Sequence, residues 1–370
     1  MKSREASPTN CLPKVLLLGV HTPYNRTKNI HSYYEEFINL VRSNEVCQDN
    51  RMFMRLREIS PVYFFTKGKL EELKKYCEEN KIEQLIISES LTAQQERNLK
   101  DYLDCKVFDR TNLILEIFEK HAHSAEGKTQ VEIAMLQHKK TRLAGKGIHL
   151  SQQSGIMGKI GGFGETAKEK ETRELNRKIF NLKKKLENIQ KSRETQRKRR
   201  FKNNVAHLCL IGYTNSGKST ILNRLTKSNV LAEDKLFATL DTTTRELYIN
   251  GKKKGIISDS VGFIQQIPHN LIEAFKSTLD ELRYADLLLH VVDLSDPNWE
   301  FQIKTVNEIL QELEIDKEIL YIFNKIDKVE NIETLQEQLE KYQPHVLTCA
   351  KSKDGVKDLR NNLAKWSKQS

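Results

Sequence analysis

The sequence predicts an α/β protein in which a phosphate-loop domain with a mostly parallel sheet (201–370) is preceded by a small α/β domain (1–110) and a long helical hairpin with a glycine-rich basic tip (111–200). Three observations carry that prediction. Residues Gly212, Tyr213, Thr214, Asn215, Ser216, Gly217, Lys218 and Ser219 fill the pattern Gly-x-x-x-x-Gly-Lys-[Ser/Thr], between an apolar run, Leu208–Ile211, and a segment from Thr220 with helical spacing. The first 110 residues alternate short apolar runs with amphipathic stretches, the rhythm of a parallel sheet with crossover helices. Between the two, a glycine-rich stretch without acidic residues (133–164) leads into apolar residues at heptad spacing.

At 370 residues the chain is long for a single core, so more than one domain is expected. Apolar content of 38% and charged content of 30% suit long exposed helices better than one compact globule. The net charge of +11 favours a polyanionic partner, either nucleic acid or an anionic membrane face. The six cysteines (Cys11, Cys47, Cys77, Cys105, Cys209, Cys349) form no Cys-x-x-Cys pair and have no histidines at zinc spacing, so reduced structural thiols are expected. No apolar run approaches the length of a membrane span, and the first residues lack the apolar core of a signal peptide; both point to a cytoplasmic protein.

In chain order, Lys14–Val20 reads as a buried strand and Ser32–Val41 as an amphipathic helix. Pro61–Phe65, Gln84–Ser88 and Lys106–Phe108 read as strands, with helices at Lys69–Asn80 and Ala93–Leu103 between them. This part has no phosphate loop of its own. From Thr111 the strands stop, and Asn112–His121 and Thr129–Leu143 read as helices interrupted near Gly127. Lys139, Lys140, Arg142, Lys146 and Lys159, with His138 and His149, then give the acid-free stretch a one-sided charge, while Gly145, Gly147, Gly155, Gly158, Gly161, Gly162 and Gly164 make it a long loop. Because it also carries Ile148, Ile156, Met157, Ile160 and Phe163, it reads as a probe for RNA, with a solvated linker as the alternative. Leu175, Ile179, Leu182, Leu186 and Ile189 step by four, three, four, three. That seam is too short for a dimeric coiled coil and reads as packing antiparallel on the earlier helices. Lys191, Arg193, Arg197, Lys198, Arg199 and Arg200 load its end with positive charge, which favours a helix C-terminus.

The last part carries the chemistry. Gly212 and Gly217 let backbone N–H groups converge on phosphate oxygens, with the dipole of the next helix behind them. Lys218 is placed to bridge the β- and γ-phosphates, and Ser219 to ligate Mg²⁺. Asp259, Ser260, Val261 and Gly262 follow the strand-like Gly255–Ile257; Asp259 can hold Mg²⁺ through water and the Gly262 N–H can reach the γ-phosphate. Asn324, Lys325, Ile326 and Asp327 follow Ile319–Phe323. Asp327 can accept from both N1–H and the 2-amino group of guanine, which adenine does not offer; Asn324 braces the loop and Lys325 lies along the ring face. Cys349, Ala350 and Lys351 follow His345–Leu347, and the Ala350 N–H can donate to guanine O6. Four motifs in this order and context read as a Ras-like P-loop GTPase domain that binds GTP and GDP.

Phe237, Ala238, Thr239, Leu240 and Asp241 open a stretch with weak secondary-structure signals, running to Arg245, where a switch segment belongs. Thr239 is the candidate hydroxyl to close on Mg²⁺, with Thr242, Thr243 and Thr244 as competitors. The candidate catalytic residues are therefore Lys218, Thr239 and Gly262, and the candidate metal ligands Ser219 and Thr239. Phe263 is apolar where many small GTPases have a water-orienting glutamine, so intrinsic hydrolysis should be slow or organised by another group. Asn215 stands where, in the GTPases this loop resembles, an asparagine helps bind K⁺ beside the phosphates; such a cation could supply transition-state charge.

Together with the first half of the chain, these residues resemble the HflX family of ribosome-associated GTPases, from about Thr66 to Lys351. The matching stretches are Lys67–Leu73, Thr92–Leu99, Asp109–Leu115, Glu126–Glu132, Gly162–Thr166 at the tip, and Phe237–Asp241 in the switch. Phe163 and Thr242 stand where the family usually has proline. The resemblance implies a monomer that binds the large ribosomal subunit and its RNA in the GTP form and splits or rescues stalled 70S ribosomes, its hairpin reaching RNA near the peptidyl transferase centre. Two other readings stay open. A GTP-dependent ribosome assembly factor shares every residue-level feature, and a regulatory switch would use the hairpin on a protein partner. The basic tip favours RNA over protein, since a protein-binding hairpin needs apolar anchors more than uniform charge.

Overall fold

The structure, a computed structural model, describes residues 13–25, 29–46, 50–144, 167–202, 205–226, 236–237, 243–265, 279, 281–352 and 354–367. The chain divides into two compact units. One comprises Met1–Glu116 and Thr141–Met157, the other Ile117–Lys140 and Gly158–Ser370.

The first unit is built on a four-stranded parallel sheet of order β2-β1-β3-β4, with β1 at Val15–His21, β2 at Asn50–Arg55, β3 at Gln84–Ile87 and β4 at Lys106–Phe108. The central β1 is buried almost throughout, as expected of a parallel strand covered on both faces, which is why it reads as a continuous apolar run. Helices α1 (Ile30–Ser43), α2 (Lys67–Asn80) and α3 (Ala93–Leu103) make the crossovers. Asn29 caps α1 by accepting from the His31 and Ser32 amides, and Thr92 with Gln95 forms a complete capping box on α3. Leu16, Leu18, Val20, Leu70, Leu73, Leu85, Ile87 and Leu99 share one core.

Two expectations fail here. Pro61–Phe65 is a turn and not a strand: Ser60 Oγ accepts from the Val62 and Tyr63 amides at 3.3 Å each, and Ser60 and Phe64 meet only in an isolated antiparallel bridge. Its aromatic residues are apolar because Phe64 and Phe65 plug the core, with Phe64 at φ 67°. The strand of this unit that the apolar pattern does not reveal is β2, an edge strand with Met54 as its one buried residue.

Helices α4 (Arg110–His121) and α5 (Ala125–Ala144) each begin in one unit and end in the other. Their interruption lies at Ala122–Ser124 and not near Gly127, which sits in the first turn of α5 with its amide donating to Ser124 Oγ at 2.9 Å. Helix α6 runs 36 residues, Ala167–Lys202. In its seam Leu175 is buried, while Ile179, Leu182, Leu186 and Ile189 are half-buried. Lys139 of α5 pairs with Glu171 of α6 at 3.3 Å. The glycine-rich tip and the side chains of Arg193 and Arg197–Arg200 lie outside the described residues.

The second unit carries a six-stranded sheet of order β10-β9-β8-β5-β7-β6. Its strands are β5 (His207–Gly212), β6 (Thr244–Ile249), β7 (Lys252–Asp259), β8 (Leu287–Asp293), β9 (Ile319–Asn324) and β10 (His345–Leu347), all parallel except β6, which pairs antiparallel with β7. Helix α7 (Lys218–Thr226) follows β5, α8 (Trp299–Glu312) follows β8, and α9 (Gln336–Leu339) and α10 (Lys357–Lys365) flank β10. Thr244 and Arg245, expected in a weakly structured switch, open β6; its exposed, polar edge position hides the strand signal.

Candidate nucleotide-binding site

The phosphate loop runs from the end of β5 into α7. Gly212 has φ 143°, and a Cβ there would lie 2.2 Å from the Val291 carbonyl oxygen; Gly217 has φ 99°, with the Asn324 amide 2.3 Å from where a Cβ would sit. No side chain fits at either point. Asn215, at φ 59°, adopts the left-handed conformation at the exposed crest of the loop. The Thr214 amide donates to Phe263 O at 2.8 Å and the Phe263 amide to Gly212 O at 3.1 Å, so this loop and the Asp259–Gly262 motif form one backbone-bonded unit. Phe263 itself is buried in the core with Tyr213 and Ile211.

Lys218 Nζ donates to Tyr213 O at 2.8 Å and Gly212 O at 3.2 Å. Burial pulls its pKa down to about 8, against the opposing pull of the Asp259 carboxylate. Gly262 packs against Thr214 and Lys218: a Cβ there would meet Thr214 Cα at 2.8 Å and Lys218 Nζ at 3.0 Å. Ser219 Oγ donates to Asp259 Oδ2 at 2.6 Å. A hydroxyl and a buried carboxylate in contact at the mouth of a phosphate loop form a hard oxygen donor set, which fits Mg²⁺. Ser260 is fixed beneath by donation to Leu210 O at 2.7 Å. Ala238, Thr239, Leu240 and Asp241 lie outside the described residues, while Phe237 is buried, its ring 4.6 Å from that of Phe118.

The motifs expected to recognise the base converge on the same end of the sheet. Asn324 Nδ2 donates to Ser216 O at 2.9 Å, so Asn324 braces the phosphate loop directly, and its Oδ1 accepts from the Ala350 amide at 3.0 Å. The Ala350 N–H, expected to face guanine O6, is thus engaged by Asn324 in this structure. Lys325, at φ 63°, ion-pairs with Asp293 at 2.6 Å. Asp327 begins a short 3₁₀ turn with Ile326, and Cys349 Sγ donates to its Oδ1 at 3.1 Å. That thiol contact holds the Asp327 carboxyl below the usual carboxylate range, so it stays an acceptor.

Three contributors escape sequence reasoning. Asp293 ends β8 and holds Lys325; the apolar run Leu287–Val292 closing on a carboxylate is its available signal. Arg224 of α7 donates to Ala350 O at 3.0 Å and Lys351 O at 2.6 Å, tying the base loop to the helix that follows the phosphate loop. His290 of β8 is fully buried, and that burial, with Lys218 nearby, pushes its pKa down to about 3, so it is neutral. Nothing local marks the last two in sequence.

Three family models match consecutive parts of the chain: GTP-binding GTPase N-terminal over residues 31–119, GTP-binding GTPase Middle Region over 121–200, and 50S ribosome-binding GTPase over 207–325. The GTPase HflX of Magnetococcus marinus is 43% identical over 311 residues, covering 84% of this chain and 72% of that protein. The chain belongs to the HflX family of GTPases. The HflX of Lacrimispora saccharolytica is 40% identical over 95% of this chain and 82% of its own, and that of Escherichia coli 38% over 92% and 80%. A crystal structure of SsGBP in complex with GDP superposes with a TM-score of 0.52 at 28% identity, covering 95% of this chain and 98% of that one. As an HflX-family GTPase, this chain binds guanine nucleotide and hydrolyses GTP.

Proposed function

We propose that this GTPase binds the large ribosomal subunit and its RNA in the GTP form, in the cytoplasm, and splits or rescues stalled 70S ribosomes as a monomer. The observation that carries the reading is the match of residues 207–325 to the model described as 50S ribosome-binding GTPase, within a chain whose relatives are HflX proteins. The net charge of +11 and the basic end of α6 suit a partner made largely of RNA. Among the described residues no helix is long and apolar enough to cross a membrane.

In this reading Gly212–Ser219 cradles the phosphates, Lys218 sits against the β- and γ-phosphates, and the Gly262 N–H meets the γ-phosphate. Asp327 accepts from the guanine edge, while Asn324, Lys325 and the Cys349–Lys351 loop hold the base. Ser219 and Thr239 would hold Mg²⁺, with Asp259 behind them, and a bound ion there would neutralise charge on the phosphates. Phe263 lies in the core and orients no water, so the charge that develops on hydrolysis calls for another cation, and Asn215 is the candidate to seat K⁺.

Sucrose-gradient sedimentation of intact 70S ribosomes tests the reading. With protein and a non-hydrolysable GTP analogue, the 70S peak should give way to separate subunits, and with GDP it should persist. A 70S peak unaltered by the analogue, with free large subunits still bound, would favour an assembly factor instead.

A further inference from the structure

We propose that the exposed face of β2 in the first unit, together with the cleft at its C-terminal end, binds unpaired RNA. This inference rests on the ribosome-binding reading and assigns it a surface. Alternation along β2 sends Met52 and Met54 into the core shared with α2 and α3, and leaves Arg51, Phe53 and Arg55 exposed on the other face. Phe53 is 51% exposed although it is a large aromatic residue on a strand. Its ring is fixed in place: it lies 4.5 Å from the Tyr34 ring of α1, and Gly19 of the neighbouring β1 makes room for it, since a Cβ there would come within 2.4 Å of Phe53 Cδ1. An aromatic ring seated on the sheet, with a guanidinium two residues away on either side, meets the needs of a single strand. Every base offers a face to stack, and every link a phosphate to neutralise.

The cleft continues this stripe. It has a volume of about 920 Å³ and is lined by His21, Arg55, Arg57, Glu58, Thr66 and Lys69 among others. It opens outside the carboxyl ends of β1 and β2, where open α/β sheets take ligands. The N-terminus of α2 contributes to it: the N-cap Thr66 makes no side-chain capping bond, and the first turn holds no acidic residue. Glu58 is the one carboxylate among the described lining residues. Arg55 belongs to both stripe and cleft, so the two form one track. An acidic protein segment would satisfy the arginines but leave Phe53 without a ring to stack on, and duplex RNA keeps its bases inside the stack.

The test uses the full chain and a fluorescent, unstructured ten-nucleotide RNA, followed by anisotropy at several salt concentrations, with large-subunit sedimentation in parallel. The parent should bind the single strand more tightly than a duplex of equal length. Phe53→Leu, which keeps the packing but removes the ring, should weaken binding about fivefold or more, and Phe53→Trp should restore it. The double variant Arg51→Gln/Arg55→Gln should lower the salt slope by about 1.4, roughly 0.7 for each phosphate that is no longer neutralised. GTP hydrolysis without ribosomes should be unchanged in all three. Equal RNA affinity in parent, Phe53→Leu and Phe53→Trp would overturn the proposal, as would polyglutamate binding as tightly as RNA. A parent that does not sediment with the subunit sinks the ribosome reading; a parent that sediments, with Phe53→Leu binding RNA unaltered, sinks this surface alone.

Discussion

Asp327 is where chemistry and legibility meet most directly. Its carboxylate, kept below the usual carboxylate range by the Cys349 thiol, is the proposed acceptor for the donor edge of guanine. Asp327→Asn turns one acceptor into a donor that faces guanine's own donors. GTP affinity should fall by about tenfold or more, the scale of a lost charge-assisted hydrogen bond, while xanthine nucleotide gains; nucleotide titration with both bases checks it. The motif is readable because guanine recognition needs those residue types in that order. Asp293 and Arg224 are not, because each acts from another element across the fold, Arg224 being 126 residues from the Ala350 carbonyl it holds. Glu89 in the first unit is a further residue invisible in sequence: buried beside Tyr33 and Asn25, its pKa is pushed up to about 7 from 4.5. The folded state therefore holds that proton more tightly than the unfolded chain does. The stability this contributes is full below about pH 4.5 and lost as pH rises through about 7, roughly 3 kcal/mol in all. Glu89→Gln should flatten that dependence, so urea unfolding should find the variant more stable than the parent at pH 8 and the two closer at pH 5.

At the scale of elements, the buried parallel strands are legible, whereas two edge strands, β2 and β6, are not. β1, β3 and β5 read as apolar runs because both faces are covered, whereas β2 and β6 are edges whose outward residues are Arg51, Phe53 and Arg55 in the one and Arg245, Glu246 and Tyr248 in the other. Pro61–Phe65 misleads for the converse reason: two aromatics enter the core from a turn. The end of α5 shows what local pattern cannot convey. Arg142 donates to Asp109 at 2.6 Å and to Leu91 O at 2.8 Å and pairs with Glu96 at 2.9 Å, while Asp109 also accepts from the Leu91 amide just before α3 and from the Asn112 amide in the first turn of α4. Arg142→Met keeps the aliphatic stem but strips a buried carboxylate of its cation. The first unit should lose about 2 kcal/mol, the scale of a charged hydrogen bond, while guanine-nucleotide affinity, set in the other unit, stays unchanged. Denaturant unfolding and nucleotide titration of the same variant separate the two effects.

Across the whole molecule, the proposed function assigns nucleotide chemistry and RNA contact to different stretches of chain. The motifs expected to meet the nucleotide lie between Gly212 and Lys351, whereas the basic, glycine-rich stretch precedes them in the sequence. Replacing Lys146–Gly164 with a short uncharged linker should leave GTP affinity near normal and reduce ribosome splitting. Splitting as efficient as the parent's, scored by gradient profile, would make that stretch a linker. The central claim, that guanine-nucleotide state governs engagement of the large subunit, is tested most directly by pelleting isolated large subunits with this protein under two conditions that differ only in nucleotide. With a non-hydrolysable GTP analogue the protein should pellet in near-stoichiometric amount, and with GDP it should remain in the supernatant; equal pelleting in the two would contradict the account.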